Sequence, residues 1–509
     1  MATALSTRRT RLGQRQPQAT LAPEDLLPVR IRRVAGAYLL TGDLGGHAFL
    51  EPEEYQRWLQ GQLLAEEPAA AKLRAADLLA DGNTRQRAQK YLERKGFLHF
   101  GPNLHIFVVT LRCNHSCQYC HASRARMDAF ETDMSIETAE RSVDFAFEST
   151  SPFLTIEFQG GEPLANWPVV EHIVEYALQK NQLAGKQLMF ALVTNLTLMD
   201  DDKLAYLIDR KVQISTSLDG PEAIHDAVRV WRDGTSYATT VGWIRKINSR
   251  YREMGLDPML YRVEALPTIT RLTLPHAKAL IDEYAALGCH AVFLRHLDPF
   301  GFAGATKARL GYTIADFLAF YQQALDYIVD LNRQGSDFVE RTAAMLFTKI
   351  LGGRDPNFLD LRSPCGAGIG QIAYNYDGRM FTCDEGRMID RSGDDCFVIG
   401  DVAQGSSLQD YRAVVSGPVV RAMTTASTLQ GQPGCADCAY MPWCGICPVH
   451  NYSEQGSIHG RMIESTWCQK YMGILDLLMT RLRTADEFEK ALYHRWASPR
   501  ALEHYVQER

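Results

Sequence analysis

Between about residues 101 and 335, short apolar runs alternate with longer amphipathic stretches. The runs fall at 104–110, 153–158, 187–194, 211–218, 259–267 and 290–296, with helical patterns such as Ile136 to Glu148 and Val169 to Gln179 between them. A short apolar run reads as a buried strand, and an apolar period near 3.6 reads as a helix. Alternation of the two predicts parallel strands covered by helices. Six such repeats predict an α/β architecture, a partial (β/α)6 barrel of the TIM type. Its reactive end is the C-terminal edge of the strands.

The flanks read differently. Val29 to Val34 and Ala37 to Thr41 are strand-like around a Gly-containing turn, and Ala48 to Leu50 adds a third run. Pro52 to Leu64, Leu73 to Leu79 and Thr84 to Lys95 follow as helices, the last stopped by Gly96 in the C′ position. This makes 23–100 a unit of its own, after a polar, disordered tail at 1–22. Residues 336–470 are rich in cysteine, and the end of the chain, 471–509, carries a helix from Met472 to Leu492 packed on the outside.

Composition narrows the function classes. The chain has 509 residues, with 60 acidic and 54 basic side chains and a net charge of −6, so nothing calls for nucleic acid or an anionic membrane. No apolar run approaches the ~20 residues that span a bilayer. Met1 to Thr20 has no apolar h-region, so it is not a secretory signal. Its alternatives are a disordered tail and an organellar transit peptide. Twelve cysteines without such a signal indicate a reducing compartment, and a cytoplasmic protein is expected.

Chemistry concentrates at Cys113, Cys117 and Cys120, spaced C-x3-C-x2-C directly after the run Leu104–Thr110. Three thiolates suit three irons of a 4Fe–4S cluster and leave the fourth iron free to chelate a small molecule. Zinc with His115 or His121 as a fourth ligand is the competing reading. A second array follows. Cys365 and Cys383 stand eighteen apart; Cys435, Cys438, Cys444 and Cys447 read C-x2-C-x5-C-x2-C; Cys468 closes the set. Paired C-x2-C also signals a zinc ribbon, but ribbon pairs are separated by ~15–20 residues, and here five residues intervene. Cys289, inside an apolar run, reads as a buried thiol.

The first triplet on a loop after the first strand resembles the signature of the radical S-adenosylmethionine (SAM) enzymes. The resemblance implies that the open iron holds SAM and that cleavage yields a 5′-deoxyadenosyl radical. It extends to other strand ends. Gln159-Gly160-Gly161-Glu162-Pro163 resembles the family's GGE motif, which holds the SAM amino group, and two glycines let backbone approach a ligand. Tyr119 matches an aromatic near the adenine. Asn195 ends the third strand and serves equally as a helix cap. Ser217 and Arg229, in the run "SLDGP…HD…R", match groups that reach the SAM carboxylate; a surface salt bridge is the alternative for Arg229.

The C-terminal array resembles the SPASM domain, which carries two auxiliary clusters, so three 4Fe–4S clusters are implied. The resemblance assigns Cys365, Cys383 and Cys447 to the first auxiliary cluster. Cys435, Cys438, Cys444 and Cys468 go to the second. The last spacer is one residue short of the usual pattern. The first auxiliary set has three ligands, so either an iron is open to substrate or Cys396 closes it. Asp384 matches a proposed catalytic base of sulfatase-maturing relatives, or is a turn residue. The segment 23–100 is similar to winged-helix modules that bind leader peptides, or is a plain cap over the open end of the barrel. Phrases such as Leu104 to His115 and Leu26 to Arg30 are similar to the His-Xaa-Ser system maturases. The resemblance therefore implies a ribosomally made precursor peptide as substrate and an electron donor such as flavodoxin or ferredoxin. Two rivals stay open: a maturase of a folded protein, and a non-enzymatic zinc-binding regulator or scaffold.

Overall fold

The computed structural model describes residues 20–80, 82–355, 361–391, 393–498 and 505–507. Most of the expected N-terminal tail, 1–19, lies outside the described residues.

The central sheet is mostly parallel, as the alternating pattern predicts. Leu104–Thr110 pairs with Phe153–Gly160, then come Gln187–Thr194, Val212–Ser217 and Glu264–Leu266, all parallel. Helices cover the outside. Ser135 caps Ile136–Phe147 by accepting from Thr138 N at 3.1 Å. Trp167–Ala184 ends on Gly185 in the left-handed region. Val143, Ala146, Val170 and Ile173 are fully buried beneath them. An apolar face of this kind, and not intrinsic propensity, is what fixes a surface helix.

Two expectations need correction. The sixth run, 290–296, shortens to Ala291–Val292, which pairs with Val339–Glu340 apart from the main sheet. A single bridge from Arg295 to Thr268 keeps it beside the fifth strand. On the other edge, Gln371–Tyr374 joins Leu104–Thr110 in parallel, and Arg379–Phe381 and Val398–Asp401 continue antiparallel. The end of the chain forms two helices, Thr466–Thr484 and Glu487–Trp496. They are packed in and not laid on the outside: Leu478, Met479, Leu492 and Tyr493 are fully buried.

Near the N-terminus, Arg30–Val34, Ala37–Thr41 and His47–Leu50 form an antiparallel meander. Helices Pro52–Leu59, Pro68–Ala75 and Thr84–Arg94 follow. Lys95 is the C-cap of the last helix and Gly96 stands in the C′ position as expected, where it begins a 3-10 turn without a positive φ. Trp58, Leu50, Leu63 and Leu73 close a small core of their own. This segment docks onto the C-terminal cysteine loop. Arg30 donates to the carbonyl of Ala436, and Thr41 donates to that of Ala439 at 2.8 Å. Among the described residues no helix is long and apolar enough to cross a membrane.

Candidate active site

The loop after the first strand is tied down at both ends. Cys113 N donates to Ala125 O at 3.2 Å, and Ala125 N donates to Leu111 O at 2.6 Å. Arg112 grips Asp133 through Nε and Nη2 at 2.7 and 2.6 Å, with its guanidinium over the Phe130 ring. In the middle, His115–Cys117 pairs with Arg229–Trp231. Cys113, Cys117 and Cys120 thereby face one cavity of about 540 Å³ at the C-terminal ends of the strands. Burial pushes the Cys113 thiol well above its usual value, and Cys117, Glu162 and Cys120 push the same way. Cys117 is raised to about 11 by burial, against the pull of Arg229. Such thiols stay protonated until a metal displaces the protons.

Gly160, Gly161, Glu162, Asn195, Ser217, Arg229 and Tyr119 all line the same cavity. The glycines are needed for a different reason from the one the motif suggests. A Cβ on Gly160 would lie 2.1 Å from Thr110 O, and one on Gly161 would lie 2.3 Å from Leu111 O. They allow the second strand end to press against the cysteine loop, where Gly161 N and Glu162 N donate to Thr110 O and Arg112 O, each at 2.8 Å. Glu162 is 1% exposed and accepts from Thr194 Oγ1 (2.6 Å), Asn195 N (2.7 Å) and Leu164 N (3.1 Å). Burial outweighs those bonds and lifts it to about 7.

Asn195 is not a helix cap. Its Oδ1 accepts from Thr197 N at 2.9 Å, and its Nδ2 lies 3.9 Å from Cys113 Sγ. Arg229 is not in a surface salt bridge. Its Nε donates at 2.8 Å to Asp219, whose side chain is fully buried, and its Nη1 lies 3.8 Å from Cys117 Sγ. The same Asp219 takes the Tyr119 hydroxyl.

Among the described residues, no three His, Cys, Asp or Glu side chains converge on one point at single-ion spacing. Zinc draws four ligands to ~2.0–2.3 Å of one ion. A cluster with irons at separate corners asks thiols to share a cavity, as these do. Cys113, Cys117 and Cys120, lining one cavity with Glu162, Asn195, Ser217 and Arg229, would suit such a cluster.

The model of the radical SAM superfamily matches residues 107–263. The chain carries a radical SAM domain. An uncharacterized protein of Methanocaldococcus jannaschii is 26% identical over 195 residues, covering 38% of this chain and 62% of that protein. This chain thus spans less than two thirds of that relative. Native anSMEcpe with bound AdoMet aligns at TM-score 0.62 and 18% identity, over 77% of this chain and 99% of that one. Streptococcus suis SuiB bound to precursor peptide SuiA aligns at 0.50 and 16%, over 87% and 98%. At these identities the likeness is one of fold.

Beyond the radical SAM domain seven cysteines fall into two groups, while Cys289 is buried apart from them. Burial raises the Cys383 thiol, and Glu385, Cys447 and Cys365 add to it, so these three cysteines are neighbours. Cys383 Sγ accepts from Gly386 N at 3.3 Å, and Cys447 Sγ from His450 N at 3.4 Å. Each therefore caps a helix N-terminus, at Asp384–Asp390 and Pro448–Gln455. In the second group, Cys444 is raised to about 12 by burial and by Cys438, Cys435 and Cys468. Cys396 belongs to neither. It is exposed, and after burial the groups acting on it are Asp394 and Tyr452.

Cys447 and Asp384 also line the first cavity, so one member of the first C-terminal group shares it with Cys113, Cys117 and Cys120. Asp384 is held by Arg387 Nε at 2.7 Å. The sequence reading missed His296, Asp298 and Lys470, which complete this wall. Burial would raise Asp298, but Lys470 and His121 outweigh it and hold the carboxyl low. The one available signal was Lys470, two residues after Cys468. His115, offered as a zinc ligand, is 1% exposed and edge-on to Trp231.

Proposed function

We propose that this radical SAM chain cleaves SAM and modifies a ribosomally made peptide, with His-Xaa-Ser repeats as the expected substrate motif. The supporting observation is the shared cavity. Cys113, Cys117 and Cys120 line one wall, and Asp384 and Cys447 line the other. A peptide side chain placed between them would meet both. SuiB, whose structure holds a precursor peptide, supports the choice of a peptide over a small molecule.

Cys113, Cys117 and Cys120 would hold the SAM-binding cluster. Cys365, Cys383 and Cys447 would hold a first auxiliary cluster with an open corner, since Cys396 lies apart. Cys435, Cys438, Cys444 and Cys468 would hold a second, in a SPASM-type arrangement. When bound, the first cluster would supply the electron that splits SAM to methionine and a 5′-deoxyadenosyl radical. The protein binds and orients. Glu162 would take the SAM ammonium; its raised pKa means that the incoming cation completes its ionisation. Arg229 and Ser217 would reach the SAM carboxylate, and Tyr119 the adenine. Asp384 would accept the substrate proton, poised by Arg387. An electron carrier of the flavodoxin or ferredoxin type would recharge the clusters.

The test is anaerobic turnover with SAM, a reductant and a His-Xaa-Ser repeat peptide, read by mass spectrometry. Formation of 5′-deoxyadenosine together with a mass change in the peptide is expected. 5′-Deoxyadenosine without any peptide product, and modification only of a folded protein, would favour the maturase of folded substrates instead.

A further inference from the structure

The N-terminal segment meets the C-terminal cysteine loop across a cavity of about 1640 Å³ whose wall includes Arg94, Lys95, Lys349, Asp355 and Cys444. Arg94 and Lys349 are 7% and 1% exposed. Arg94 donates to Leu44 O at 2.7 Å and to the carbonyl of Pro442, inside the loop that carries Cys438 and Cys444. Lys95 donates to the carbonyl of Ser363, two residues before Cys365. Lys349 donates to the carbonyl of Leu361, and its charge reaches Cys444.

Among the described residues these three cations share one carboxylate. Asp355 lies 3.2 Å from Lys349 and 3.8 Å from Arg94, and Lys95 feels its charge. Charge left unbalanced inside a protein is costly. A 4Fe–4S cluster on four thiolates is net negative in both oxidation states, and it becomes more so on reduction. Cations fixed beside it favour the reduced form.

We propose that Arg94 and Lys349 are the counter-charge of a cluster held by Cys435, Cys438, Cys444 and Cys468. They hold its reduction potential up, so that the N-terminal segment helps set the redox poise of the C-terminal one. This rests on the iron–sulfur reading of those cysteines.

The test is a redox titration at pH 7, followed by electron paramagnetic resonance. The protein carries Cys113→Ala, Cys117→Ala and Cys120→Ala, so that the signals come from the C-terminal cysteines. At a fixed potential, Lys349→Met and Arg94→Met should each lower the reduced-to-oxidised ratio about tenfold, or about 59 mV for a one-electron couple. Lys349→Arg and the exposed Lys90→Met, which leaves Asp77 paired with Arg87, should leave it within about twofold. Should one of these two variants not fold, the other decides alone. Unchanged ratios at full iron content overturn the proposal. Absence of iron from the parent protein overturns the cluster reading beneath it.

Discussion

Gly161→Ala is the most telling single substitution in the barrel. The added Cβ would lie 2.3 Å from Leu111 O and 2.4 Å from Arg112 O. Both are backbone atoms of the cysteine loop, so no side chain can swing away. Overpacking of this kind costs ~1–3 kcal/mol. Parting the two segments also breaks the bonds from Gly161 N and Glu162 N, each worth ~1 kcal/mol. The total, about 3–5 kcal/mol, is a large share of the ~5–15 kcal/mol that stabilises a domain. Urea unfolding of anaerobically prepared protein should show that loss, with iron per chain falling as well. Gly242→Ala is the matched control. It lies exposed in the helix Ser236–Glu253, and its Cβ would meet nothing within 4 Å. Alanine there should stabilise by ~1 kcal/mol. A Gly161→Ala protein within ~1 kcal/mol of the parent and fully loaded with iron would refute the close-approach argument.

Further outcomes follow from the same geometry. Burial lifts Glu162 from 4.5 to about 7, so the folded state binds its proton more tightly than the unfolded state does. Its contribution to stability is fully present below pH 4.5 and is lost as pH rises through 7, on the order of 3 kcal/mol in all. Cofactor-free parent should therefore lose stability relative to Glu162→Gln between pH 5 and 8, and parallel pH profiles would sink this. Asp384→Asn leaves the guanidinium of Arg387, 1% exposed, without its carboxylate, at a cost of ~3–5 kcal/mol. Asp384→Asn with Arg387→Met should recover stability but not peptide modification; recovered modification would remove Asp384 as the base. Cys396→Ser should leave iron content unchanged while Cys447→Ala lowers it, and the reverse result would restore Cys396 as a ligand.

Much of this was legible because the signals are local. Five apolar runs became five parallel strands, and the triplet from Cys113 to Cys120 reads as a unit since its ligands share one loop. The sixth run failed because the chain from Leu294 to Phe300 leaves the sheet to line the cavity. Gln371–Tyr374 was invisible as a sheet strand: it is four residues long, and its partner lies far back in the chain. The paired glycines were legible as a close approach, but what approaches is the cysteine loop, a tertiary neighbour that no motif names. His296 and Asp298 share the segment from Leu294 to Phe300, but Lys470 reaches the cavity from the helix Thr466–Thr484, so no spacing in the sequence links it to them.

The central claim is that the loop of Cys113, Cys117 and Cys120 carries the group that splits SAM. Its most direct test is 5′-deoxyadenosine release, under reducing anaerobic conditions, by protein in which all three are replaced by alanine. The account predicts that release stops while the iron of the C-terminal cysteines is retained. Release at the parent's rate would contradict it.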